Sequence, residues 1–120
     1  MSIPTLTELV EKRCHPCRGG VEPFSPEKAR DYIASLPGWE LAPGGRVIRR
    51  TYTMRGFLEA VDLVTRIAPL AEQEDHHPDI HLTGYRTLTI ELSTHAIGGL
   101  SENDFILAAK IEQLPKEVKG

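Results

Sequence analysis

Leu88, Ile90 and Leu92 alternate with Thr87, Thr89 and Glu91. An extended chain sends successive side chains to opposite faces, so this run predicts a strand with one apolar and one polar face. The strand is expected over Tyr85–Thr94. Ahead of it, Thr83-Gly84 reads as a tight turn and Asp79 to Leu82 as a short strand. Strands joined this tightly are antiparallel. A polar outer face means that the sheet is covered on one side only. The remaining apolar segments must then pack on that side.

Those segments are helical. Ser25-Pro26-Glu27 is a helix start, with Ser as N-cap and Pro at the first helical position. Ala29, Tyr32, Ile33 and Leu36 follow on one face, and Pro37-Gly38 ends the helix. Trp39 to Ala42 is short and extended, Pro43-Gly44-Gly45 turns the chain, and Val47 to Thr53 is a strand. Gly56 to about Asp75 is the longest helix, with Phe57, Val61, Val64, Ala68 and Ala71 as its expected apolar face. Pro69 inside it should kink or locally shorten it. Ser101 and Asp104 form a capping box, with Asp in place of Glu, for a last helix that ends near Leu114. Phe105 to Ala109 is apolar all round, which predicts that part of this helix faces another subunit.

The expected architecture is a single α+β domain, residues 25–120. Its order is α-β-β-α-β-β-α, with a four-stranded antiparallel sheet and helices packed on one face. Residues 1–24 are expected to form a separate, loosely ordered N-terminal arm that carries both cysteines. A chain of 120 residues suits one domain. The net charge of −3, with no basic stripe, argues against direct nucleic-acid binding. There is no apolar run long enough for a membrane span. The first residues lack the features of a secretory signal, so a cytoplasmic protein with reduced cysteines is expected.

Function points to the histidines. Three of the five lie in Asp75-His76-His77-Pro78 and Ser93-Thr94-His95. Imidazole titrates near neutrality, so one ring can serve as acid while another serves as base. A lone His at a helix end is more often a cap; the cluster favours chemistry. Glu72 lies four residues before His76, one helical turn away, so its carboxylate can reach toward that ring; a solvated acidic face is a reading of equal weight. Asp104 suits capping better than direct catalysis. His81 reads as an ordinary strand residue.

Cys14-His15-Pro16-Cys17 has the spacing of redox and zinc sites. No strand precedes it as in a thiol oxidoreductase, and zinc would need two further ligands. Ordinary reduced thiols are favoured, with a site completed by another subunit and redox chemistry as alternatives.

The run Glu72-x-x-Asp75-His76-His77-Pro78, then Tyr85, Ser93-Thr94-His95, Gly99-Leu100-Ser101 and Asp104, resembles pterin-4a-carbinolamine dehydratases. Leu36-Pro37-Gly38-Trp39 fits as well, and the resemblance covers about residues 25–114. It implies the same α-β-β-α-β-β-α fold. It also implies dehydration of 4a-hydroxytetrahydrobiopterin to quinonoid dihydropterin and water, in tetrahydrobiopterin recycling. That elimination needs no metal and no redox cofactor. The resemblance assigns His76, His77, His95 and Glu72 to catalysis, with His76 leading. It assigns Asp75, Pro78, Ser93, Thr94, Ala96 and Asp104 to substrate binding. The apolar start of the last helix and the open edge of the sheet predict a homodimer or homotetramer. The alternative is a non-catalytic binding protein of the same fold, acting as a dimerisation cofactor or assembly chaperone. Two departures stand out: Ile80 replaces an aromatic residue of animal members, and the Thr83-Gly84 turn carries one extra residue.

Overall fold

The computed structural model describes residues 3–15 and 22–120. Helix α1 (Leu6–Glu11) precedes α2 (Pro26–Ile33), and strands β1 (Glu40–Leu41) and β2 (Ile48–Thr53) lead to α3 (Phe57–Glu74). Strands β3 (Asp79–Thr83) and β4 (Thr87–Leu92), a 3₁₀ turn at His95–Ile97 and α4 (Glu102–Glu112) complete the chain. The four strands form one antiparallel sheet in the order β1-β2-β4-β3.

The alternation in β4 does what its pattern implies. Leu88, Ile90 and Leu92 are buried, while Thr87, Thr89 and Glu91 on the other face are half-exposed. Ile48 and Tyr52 of β2 extend the apolar face. The outer face is polar: Glu91 accepts from Arg49 at 2.8 Å and pairs with His81 at 2.9 Å. His81 is thus a strand residue on the open face. Tyr85 is not in the strand. It sits in the turn with φ 57°, a conformation that non-glycine residues rarely adopt.

Helix α2 starts as expected: the Lys28 N–H donates to Ser25 Oγ at 3.1 Å, with Pro26 at the first position. One expectation for α3 holds only in part. Of the expected face, Ala71 is buried and Val64 packs partly against the core, but Phe57, Val61 and Ala68 are exposed, and Ala60, Leu63 and Ile67 are buried instead. The helix is apolar over more than one stripe, and the core takes the one that carries Leu63 and Ile67. Helix α3 continues through Pro69 as far as Glu74, so the proline does not shorten it. That residue lies on the solvent side, where water can serve the carbonyl that lost its helical donor.

Helix α4 corrects a second expectation. Phe105, Ile106, Leu107, Ala108 and Ala109 are all fully buried within the single chain. Helices α1 and α3 pack against α4, and its side chains share one core with Ile48, Tyr52, Leu88, Ile90 and Leu92 of the sheet. Phe105 also stacks on Phe24 at 5.6 Å and meets Tyr32 at 5.2 Å. The all-round apolar turns therefore need no second subunit to bury them.

The described part of the N-terminal arm differs from a loose lead-in. Thr5 caps α1, accepting from Glu8 N–H at 3.2 Å, while Glu8 accepts from Thr5 N–H at 3.0 Å. Leu9 is fully buried in the shared core, worth roughly 1.5–3 kcal/mol. Cys17 lies outside the described residues.

Candidate active site

The end of α3 sets the site. Asp75 adopts a left-handed conformation (φ 51°, ψ 42°) and terminates the helix one residue before the His pair. His76 therefore leaves the helical path and turns toward the start of α4. There its Nε2 lies 2.6 Å from Asp104 Oδ1. Asp104 is fully buried. Its other oxygen accepts from Thr94 Oγ1 at 2.8 Å and from the Ser101 N–H at 2.9 Å. One carboxylate thus caps α4, holds the end of β4 and orients His76. A carboxylate only accepts, so Nε2 donates and Nδ1 is the ring atom that Asp104 leaves unengaged.

This arrangement corrects the expected pairing. Glu72 does not meet His76; it pairs with His77. The i, i+4 rule holds only while the helix continues, and Asp75 has already broken it. The Glu72–His77 pair is exposed, so solvent screens it. Asp104 acts as the expected cap and is also the carboxylate beside His76.

His95 reaches the site by another route. Thr94 N–H donates to Gly99 O at 2.8 Å, closing the loop that carries the 3₁₀ turn. Gly98 follows that turn with φ 67°, which a side chain would strain. Ser93 Oγ donates to Arg46 O at 2.8 Å and anchors the strand end.

His76, His77, His95, Asp75, Ser93, Thr94 and Ala96 line one cavity of about 320 Å³. Pro78 and Glu72 do not. They line a neighbouring, more apolar hollow of about 370 Å³ with Ile67, Ala71 and Ile80, which shares His77 with the first. Among the described residues, no three or more His, Cys, Asp or Glu side chains are grouped to hold a metal ion.

Residues 22–114 match the family model for pterin 4 alpha carbinolamine dehydratase. The chain belongs to this family. A Halorhodospira halophila protein, provisionally named as a pterin-4-alpha-carbinolamine dehydratase, is 45% identical over 106 residues, covering 88% of this chain and 96% of its own. Pterin-4-alpha-carbinolamine dehydratase 2, mitochondrial, of Arabidopsis thaliana is 41% identical over 116 residues, 94% of this chain and 62% of that protein. Among solved structures, a transcriptional coactivator/pterin dehydratase from Brucella melitensis superposes with a TM-score of 0.70 at 26% identity, over 76% of this chain and 96% of its own.

Two lining residues of this dehydratase-family cavity escape sequence reasoning: Asn103 and His15. Asn103 is the second residue of α4, where the capping pattern draws attention to its neighbours. His15 sits between two cysteines that dominate any reading of their motif. No spacing rule connects position 15 to position 76. Cys14 itself is a poor candidate for thiolate chemistry. Burial first, then the Glu74 carboxylate, pushes its pKa up to about 12.

Proposed function

We propose that this protein dehydrates 4a-hydroxytetrahydropterins, 4a-hydroxytetrahydrobiopterin among them, to the quinonoid dihydropterin and water. The observation that carries this reading is the convergence of His76, His77 and His95 on one cavity, in a chain of the dehydratase family. In the reaction the C4a–O bond breaks. An acid gives a proton to the departing hydroxyl, and a base removes the proton of the adjacent ring nitrogen. One protonated and one neutral imidazole can divide these tasks. We assign the leading acid–base role to His76, because Asp104 fixes its ring. His77 and His95 position the hydroxyl and act as partner acid or base. Asp75, Ser93, Thr94 and Ala96 shape the binding surface. The product would return to tetrahydropterin through a reductase, and the role we propose is in that cofactor recycling.

The test is a dehydratase assay with chemically prepared 4a-hydroxytetrahydropterin. His76→Ala should lower kcat by about 10²–10⁴-fold and change KM far less, because proton transfer matters most in the transition state. The rate should show a bell-shaped dependence on pH, since two protonation states must coexist. A His76→Ala, His95→Ala double variant with wild-type turnover would overturn this reading. It would favour the second one, a binding role of the kind named beside dehydratase for the Brucella protein.

We also expect self-association. Phe57, Leu58 and Val61 leave an apolar strip exposed on α3, and β3 is an open sheet edge.

A further inference from the structure

The segment ahead of the family's matched residues reaches into the cavity. His15 lines it together with the residues that follow α3 and β4 and with Asn103 of α4, although the family model matches only from residue 22. Two hydrogen bonds from one side chain hold the position. His15 N–H donates to Asn103 Oδ1 at 2.9 Å, and Asn103 Nδ2 donates back to the His15 carbonyl. The preceding residue is tied down as well. Cys14 N–H donates to Glu74 Oε1 at 2.8 Å, and Cys14 Sγ donates to the Asn103 carbonyl at 3.5 Å. Glu74 is in turn paired with Lys110 at 3.2 Å. The segment is thus pinned to the end of α3 and the start of α4, the two elements that carry His76 and Asp104.

We propose that His15 is a substrate-binding residue: a fourth imidazole, clamped in place by Asn103, that contacts the pterin in the cavity. The inference rests on the pterin reading of that cavity. A reduced pterin presents ring amide, amino and ring N–H groups around a flat bicycle. An imidazole can donate to or accept from those groups, and it can lie against the ring face. His15 is a binding residue and not a further proton-transfer group because of how it is held. The bonds to Asn103 grip its main chain, whereas the ring of His76 is itself fixed by a buried carboxylate. A ring positioned only through its backbone adjusts to the ligand and contributes to ground-state and transition-state binding alike.

The full-length protein is tested in two ways. Binding of 7,8-dihydrobiopterin, a reduced pterin without the 4a-hydroxyl, is followed by fluorescence, and kcat and KM are measured with 4a-hydroxytetrahydropterin. His15→Ala should weaken dihydrobiopterin binding and raise KM together by about 3–10-fold, the worth of one hydrogen bond, with a smaller change in kcat. His15→Gln, which keeps a donor and an acceptor, should recover part of the loss. Asn103→Ala should reproduce the KM effect by releasing the clamp with the imidazole still present. Unchanged binding and KM in His15→Ala, with His76→Ala inactive, would overturn this proposal and leave the dehydratase reading standing. Full turnover in the His76, His95 double variant would overturn both.

Discussion

Asp104 joins three tasks at one carboxylate. It caps α4 through the Ser101 N–H, holds Thr94 at the end of β4 and faces His76 Nε2. Removing its charge while keeping its shape separates these tasks. Asp104→Asn can present an amide N–H to His76 and so favour the wrong tautomer. We expect kcat to fall roughly 10–100-fold, a share of the full acid–base contribution, with little change in KM. The lost cap and charged acceptor should cost about 1–2 kcal/mol in stability. Chemical denaturation and steady-state kinetics on the same variant check both numbers. Wild-type kcat in Asp104→Asn would show that His76 needs no carboxylate behind it.

Among the elements, the N-terminal segment depends most on a single ionised group. Burial works against the Glu74 carboxylate, but the Cys14 N–H and the Lys110 ammonium outweigh it and hold its pKa below the ordinary 4.5. A depressed carboxylate contributes stability that is present above its unfolded value and is lost as pH falls through the lower folded value. The Cys14 thiol stays protonated across that range, so it does not oppose the change. Amide hydrogen-exchange protection at Cys14 should therefore be intact at neutral pH and collapse below pH 4.5. Glu74→Gln should show reduced protection already at neutral pH. Equal protection in both proteins would mean that Glu74 does not hold the segment.

For the whole molecule, the strand order leaves β3 at a sheet edge, and α3 exposes Phe57, Leu58 and Val61. The fully apolar turns of α4 no longer argue for assembly, since they lie inside one chain. The exposed strip of α3 and the open edge of β3 are the surfaces left for self-association. Light scattering at micromolar concentration should give a dimer or tetramer of the 13.3 kDa chain. Leu58→Glu should shift the mass toward monomer. A wild-type mass of one chain would remove this expectation.

Local order was legible because it rests on neighbours in sequence. The alternation of β4, the Ser25-Pro26 start of α2 and the Asp104 cap each depend on groups within a few residues. The grouping of His76, His77 and His95 was legible from a motif, and they share one cavity. Long-range choices were not legible. Pairing β2 with β4, burying the Ala60–Leu63–Ile67 stripe of α3, and turning His76 away from Glu72 toward Asp104 each select among partners that are locally equivalent. Packing of the whole chain decides them, because a stripe is buried only where another surface fits it. The place of His15 is the extreme case. Its contact with Asn103 spans 88 residues and exists only once α1 has docked on α4.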